Sequence, residues 1–281
     1  MLAMTGAGGK LGGAVAAELI RLAPAATVRL GTRAPLRLAK LKEVGAQVLP
    51  ADFNDPASLT RLFQRCSAVL IISGDAPNAP RIAQHAAAFE AAKSAGVGRI
   101  VYTSFANATP ESRFLVAPSH VESERRLRSL GPAFTILRNN LYAENIMIEA
   151  ARVTGELAQP GSEGRAAYIA YADVARATAG ALLGSGHESR TYEITGPEAL
   201  NHFDIAERLS AAWERPVRVR DVTPGIYADV LAQRGLPPFI VELLVSLRAA
   251  IGAGEYALIS PDAARLSGAP IGSASAFLAG A

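Results

Sequence analysis

Hydrophobic and polar positions along this chain fall into two rhythms that take turns from the first residue onward. Short apolar runs predict strands at Leu2 to Met4, Thr27 to Arg33, Gln47 to Phe53, Ala68 to Ser73, Arg99 to Phe105 and Phe134 to Asn139. Between them, apolar residues recur at helical spacing. After the first strand, Leu11, Val15, Leu19 and Leu22 form one stripe, with Glu18 and Arg21 off it. Further helices are expected at Leu36 to Val44, Pro56 to Arg65, Ala79 to Ala95 and Ser119 to Leu130. The run Ala68 to Ser73 (AVLIIS) is apolar almost throughout, the mark of a parallel strand covered on both faces. This succession predicts an α/β fold: a Rossmann-type, doubly wound parallel sheet whose ligands lie at the carboxyl ends of its strands.

After Asn139 the rhythm loosens. Tyr142 to Arg152 reads as helix, Gly155 to Arg165 as loop, Tyr171 to Gly184 as helix, Thr191 to Thr195 as strand and His202 to Trp213 as helix. The remainder reads as short helices with one strand at Val217 to Val222. Residues 1–152, with a returning segment near 166–196, are expected to bind the nucleotide, and 197–281 to form a small, mostly helical substrate-side cap. The apolar segment Phe239 to Ala250 is either cap core or the face of a homodimer.

Composition narrows the function. Half of the 281 residues are hydrophobic, ample for a large core, and the net charge is +3. Lys and Arg are scattered among Asp and Glu with no basic stripe, which argues against a nucleic-acid partner. No apolar run approaches the roughly 18 residues needed to span a bilayer, and the first run has neither a basic lead nor the form of a secretion signal. The single cysteine, Cys66, excludes a disulfide framework and reads as a small buried side chain. No cluster has metal-ligand spacing, so no metal is expected. A soluble, cytoplasmic protein acting on a small molecule is the expectation.

The chemistry begins at the first turn. Thr5, Gly6, Ala7, Gly8, Gly9, Lys10, Leu11 and Gly12 stand between the first strand and the first helix, where a dinucleotide fingerprint belongs. Gly6 serves the tight turn, Gly9 the approach of backbone N–H groups to a pyrophosphate, and Gly12 close packing of helix on strand. The phosphates would sit at the helix N-terminus, whose first N–H groups lack partners. The second strand ends Gly31-Thr32-Arg33 with no acid to hold a ribose 2′-hydroxyl. Arg33 offers a fork for a 2′-phosphate, which favours NADP(H) over NAD(H); alternatively it is a solvated turn residue. Asp52 and Phe53, after the third strand, are placed for the adenine, and Asp52 is equally placed to close the turn through Asn54.

With these residues placed, the chain resembles the NmrA-like atypical short-chain dehydrogenase/reductases, and within them the quinone oxidoreductase type 2 and triphenylmethane reductase branch. The resemblance rests on the Thr5 to Gly12 turn, Arg81-Ile82-Ala83-Gln84-His85, Val101-Tyr102-Thr103-Ser104-Phe105, His120-Val121-Glu122-Ser123-Glu124 and Arg138-Asn139-Asn140-Leu141-Tyr142-Ala143-Glu144-Asn145. Tyr192 to Gly196 and Pro270 to Leu278 extend it nearly end to end. Gly8 departs from the family's usual Thr, and Gly74-Asp75 from its serines. The resemblance implies hydride transfer between NADP(H) and a quinone-like substrate, without flavin. It also implies that Ser73, Gly74, Thr103 and Asn139 line the cofactor, with Asn139 at the nicotinamide carboxamide.

Ordinary short-chain dehydrogenases relay protons through a Tyr and a Lys four residues on. Here those positions fall on Val116 and His120, so the pair is missing. A quinone accepts hydride readily because its product is aromatic, so positioning alone is nearly sufficient. His120, with Glu124 one turn on, is a candidate proton donor or a helix-packing residue. Tyr142 is a candidate stacking face for a flat substrate or a core aromatic, and Ser104 a contact to ribose or substrate. His85, His187 and His202 read as surface or helix-start residues. Two functions fit: an NADPH-dependent quinone reductase, and a non-catalytic NADP(H) sensor that regulates a partner.

Overall fold

Seven parallel strands form one sheet in the computed structural model, which describes residues 1–146 and 155–279. Across the sheet the order is β3 (Gln47–Pro50), β2 (Val28–Thr32), β1 (Leu2–Met4), β4 (Ala68–Ile72), β5 (Arg99–Phe105), β6 (Ala133–Asn139) and β8 (Arg190–Ile194). The chain steps outward from β1 to β3 and then restarts at β4 on the other side of β1. Strand order thus reverses between β1 and β4, and a ligand crevice opens at that point.

Alternation along each strand feeds two apolar layers. Met4, Leu30, Leu70, Val101 and Leu137 face helices α1 (Lys10–Leu22) and α6 (Tyr171–Leu183) through Val15, Leu19, Val174 and Leu182. On the opposite face, Val69, Ile71, Ile100 and Ile136 meet Leu59, Phe63, Phe89 and Leu127 from α3 (Pro56–Phe63), α4 (Asn78–Ser94) and α5 (Ala117–Ser129). Each fully buried Leu or Phe contributes about 1.5–3 kcal/mol, so the doubly covered sheet is the rigid body on which the site is mounted. α2 (Ala39–Glu43) is a short link before β3.

A third apolar cluster lies beyond the carboxyl ends of β5 and β6. It joins Phe114, Leu141 and Tyr168 to α7 (His202–Trp213), α9 (Pro238–Gly252) and α11 (Ala274–Ala279). α8 (Pro224–Gln233) completes this part, whereas α10 (Asp262–Ser267) packs back on α6 through Ala263 and Leu266. Phe239, Leu243 and Leu247 pack partly buried against the third cluster, with Ala250 and Ile251 buried in it, while Ile240, Val241, Leu244 and Val245 of the same segment are half-buried.

The structure redraws several expected boundaries. The third strand stops at Pro50, because Asp52 accepts from Asn54 N at 2.9 Å and turns the chain, and Asp55 then caps α3 through Ala57 N and Ser58 N. Leu36 to Val44 opens as a 3-10 turn, Pro35–Leu38, before α2 begins. The segment expected as loop, Gly155 to Arg165, holds β7 (Glu156–Gln159), which pairs in parallel with β9 (Arg218–Asp221). Its four residues, ELAQ, are too few to display a period. Of the helix expected over Tyr142 to Arg152, residues 143–146 are helical and 147–152 lie outside the described residues. No helix among the described residues is long and apolar enough to cross a membrane.

Two of the three histidines expected at the surface or at helix starts are buried. His202 does start α7, but its Nε2 accepts from Arg248 at 3.0 Å inside the cap, and burial beside that cation pulls it down to about 3. His85 on α4 is buried against Ser123 and Tyr102 and is likewise pulled down to about 3, chiefly by burial. Both protonate in the unfolded chain at ordinary imidazole pH but stay neutral when folded, so the unfolded state binds more protons below about pH 6.5. Stability contributed by these groups is therefore full above that pH and falls on acidification toward pH 3 by about 1.4 kcal/mol per pH unit for each. Denaturant melts between pH 7 and pH 5 are expected to show this slope, with His202→Gln shallower than wild type; an unchanged slope would refute the assignment for His202.

Candidate functional site

The carboxyl ends of β1, β2, β4, β5 and β6 bring the sequence-selected residues to one edge of the sheet. At the end of β1, Thr5 is buried; its N–H donates to Leu70 O at 2.9 Å and its Oγ1 accepts from Ile72 N at 3.0 Å. These bonds lash the turn to the end of β4. Gly6 follows with φ +68, a left-handed conformation that favours glycine. A β-carbon on Gly12 would stand 1.9 Å from Gly6 O, so only glycine lets α1 come this close. The side chain of Leu11 goes into the core, which leaves its backbone to face the turn.

No side chain caps α1 at Gly9, and no acidic residue stands in its first turn. Its first N–H groups are thus unclaimed by side chains and carry the positive end of the helix dipole. Gly8, Gly9 and Lys10 are exposed beside them. A β-carbon on Gly8 would come within 2.8 Å of Thr32 Oγ1, which gives a local reason for the missing threonine at that position. Past the end of β2, Arg33 and Arg37 are exposed, and neither makes a side-chain hydrogen bond or ion pair among the described residues. Asp52 spends one carboxylate oxygen on its own turn, and Phe53 meets His85 edge-on at 6.3 Å.

Farther along the edge, Ser73 N donates to Thr103 Oγ1 at 2.9 Å, so the Thr103 hydroxyl holds the β4 and β5 ends together. Gly74 follows Ser73, whose hydroxyl donates to Gly74 O at 3.3 Å. Asn139 ends β6; its Nδ2 donates to Tyr142 Oη at 3.3 Å, while its Oδ1 is buried with no partner. The Tyr142 ring lies 4.4 Å from that of Tyr171, and burial pushes its phenol up to about 12, which keeps the proton on oxygen. Beyond it, Leu141, Ile146, Leu231 and Leu247 line a cavity of about 290 Å³ whose wall also carries Asn145, Glu156, Gln159, Arg234 and Arg248.

Ser104 and His120 have partners other than those expected. Ser104 donates to Glu124 Oε1 at 2.7 Å, and the same carboxylate takes a two-point contact from Arg138 at 2.9 and 2.8 Å and one from Arg128 at 3.3 Å. Glu124 therefore serves Ser104 and two arginines, not His120. His120 turns its Nδ1 to Tyr102 Oη at 2.9 Å. Burial, His85 and Arg81 hold its imidazole well below the ordinary range, so it is neutral. Tyr102 and Arg138 are the functional neighbours that sequence reasoning passed over. Tyr102 lies two residues before Ser104 on β5 and so shares its face, a period-two signal present in the sequence.

The arrangement is an uncapped glycine turn, a free arginine at the β2 end and an orphaned amide oxygen at the β6 end. The model of the NmrA-like family matches residues 1–265. The chain belongs to the NmrA-like family. Quinone oxidoreductase 2 of Escherichia coli (strain K12) is 33% identical over 246 residues, covering 87% of this chain and 85% of that one. The crystal structure of an NADPH-dependent quinone oxidoreductase from E. coli in complex with NADPH superposes with a TM-score of 0.95 at 30% identity, over 100% of this chain and 99% of that one. The Citrobacter sp. triphenylmethane reductase complexed with NADP(H) gives a TM-score of 0.92 at 30% identity, over 99% and 100%.

As an NmrA-like protein the chain has a Rossmann sheet whose first helix depends on one missing side chain. Gly12→Ala is expected to cost about 3 kcal/mol or more by urea denaturation, because backbone rather than a flexible side chain must yield. The adjacent Gly13→Ala, whose β-carbon has open room, with Ala7 O 3.9 Å away, is expected to gain about 0.5–1 kcal/mol. Equal effects at the two positions would contradict the close approach.

Proposed function

We propose that this NmrA-like protein is an NADPH-dependent oxidoreductase that delivers a hydride to a quinone or a similarly flat, conjugated electrophile. The observation that carries the reading is the uncapped α1 N-terminus beside the unpaired Arg33: a site for a pyrophosphate and, next to it, a cation for a 2′-phosphate. The residues present fit such a cofactor. Gly6 to Gly12 form a turn against which α1 starts closely because Gly12 has no β-carbon, and the buried Asn139 Oδ1 is an unused acceptor suited to a carboxamide N–H. The relatives in complex with NADPH and NADP(H) support the same choice. Preference over NADH rests on Arg33 and the absence of an acid at the end of β2.

Bound NADPH supplies the hydride; the chain supplies position and polarity. Tyr142 offers an aromatic face at the sheet edge with a protonated phenol, and the cavity past Leu141, of mixed apolar and polar lining, has room for a substrate of modest size. Val116 and His120 occupy the positions of the usual Tyr and Lys, which suits an acceptor whose reduced form is stabilised by its own aromaticity rather than one that needs a strong acid.

Stopped assays of NADPH and NADH consumption, with and without a soluble benzoquinone, test this. Quinone-dependent oxidation favouring NADPH is expected. Arg33→Ala is expected to raise the KM for NADPH about tenfold or more with little change for NADH, the loss of one charge-assisted contact. Tight NADPH binding without turnover would overturn the enzymatic reading and leave an NADP(H) sensor.

A further inference from the structure

Behind the carboxyl end of β5, four side chains form one line of hydrogen bonds whose direction is fixed by what each atom can do. Ser123 Oγ lies 2.6 Å from Ser119 O, and a carbonyl only accepts, so the single hydroxyl proton of Ser123 points there. The 2.8 Å contact between Ser123 Oγ and His85 Nδ1 must then be donated by His85. His85 therefore carries its proton on Nδ1. That nitrogen also stands 3.3 Å from Tyr102 Oη and, already protonated, cannot accept from it. The hydroxyls of Ser73 and Ser123 also lie near the Tyr102 phenol, but the aligned acceptor left for its proton is Nδ1 of His120 at 2.9 Å. A neutral imidazole whose Nδ1 accepts bears its proton on Nε2.

The two histidines end the line differently. Nε2 of His85 is buried with no partner. Nε2 of His120 is not among the sealed atoms and has no hydrogen bond among the described residues. His120 sits on α5 beside the ring of Phe105, which ends β5 at the crevice edge. Donation thus runs from His85 to Ser123 and the Ser119 carbonyl on one side and from Tyr102 to His120 on the other, and the Nε2–H of His120 is left free.

We infer that Tyr102 is a positioning residue: by donating to Nδ1 it locks His120 as the Nε2–H tautomer, so that His120 presents a neutral donor to the substrate oxygen that becomes anionic on reduction. This rests on the reductase reading above. A quinone that takes up a hydride gains two electrons and one proton, and NADPH becomes NADP⁺; one quinone oxygen is left as a phenolate. The Nε2–H bonds to that oxygen without surrendering its proton, since surrender would leave an imidazolate or a buried tyrosinate. Water supplies the second proton and completes the hydroquinone. Arg81, buried nearby with its Nε donating to Ala76 O at 2.7 Å, disfavours a positive charge on either histidine and so protects the neutral state.

The test is long-range proton–nitrogen NMR on the full chain labelled at histidine, near pH 7, with His85→Gln and His120→Gln used for assignment. Opposite tautomers are expected, Nδ1–H at His85 and Nε2–H at His120. In Tyr102→Phe the His120 signals are expected to shift toward a tautomer mixture, with kcat for benzoquinone down about tenfold and the KM for NADPH changed less than about twofold. An Nδ1–H or charged His120 in the wild type overturns the proposal whether or not the variant folds. A Tyr102→Phe protein with unaltered His120 signals and unaltered kcat overturns it too. An Nε2–H His120 in a wild type that never oxidises NADPH with quinone upholds the tautomer lock and overturns its role in catalysis, because the reductase reading itself has then failed.

Discussion

The approach of α1 to the turn after β1 sets the geometry of the whole sheet edge. With 1.9 Å between Gly6 O and the place where a β-carbon on Gly12 would be, the helix start is fixed by backbone against backbone, with no side chain to yield. The same turn is tied to β4 through both the N–H and the hydroxyl of Thr5, so the two strands that flank the topological reversal share a single fixed point. Thr103 repeats the device between β4 and β5. Each of these hydroxyls is spent on holding neighbouring strand ends in step, and the loops that leave those strands inherit that register.

A second constraint comes from charge placed under the edge. Glu124 is nearly sealed, with only 5% of its side chain exposed, and it is matched there by Arg138 in a two-point contact, by Arg128 and by Ser104. A pair held this way adds little net stability over an apolar substitute, but removing one partner strands the other. Its effect is to fix the faces of β5, β6 and α5 relative to one another. Glu193 on β8 joins through Arg138, which carries the same order to the last strand of the sheet.

Much of this was legible in the sequence, because the signals were local. The glycine turn, the unbroken run at Ala68 to Ser73, the alternation of strand and helix and the arginine after β2 each depend on neighbours in the chain. What was not legible depends on partners far apart. Glu124 stands one helical turn from His120, which suggested a pair, yet its charge is claimed by Arg138, which arrives from another strand. The burial of His85 and His202 was hidden because nothing local reveals a Tyr102 or Arg248 opposite them, although His202 was legible as a helix start. β7 hid in an apparent loop because its partner, β9, lies some sixty residues away.

The contact between Gly8 and Thr32 bears on how this turn can vary. The two residues are on different elements, yet they compete for one small volume: a side chain at position 8 would come within 2.8 Å of the Thr32 hydroxyl. That hydroxyl also accepts from Ala34 N at 3.2 Å and so shapes the bend that leads to and past Arg33. The positions are therefore epistatic. A side chain introduced at position 8 must displace the Thr32 hydroxyl, and that displacement loosens the bend from which Arg33 projects. The shape of the glycine turn and the direction in which Arg33 projects therefore cannot be varied independently.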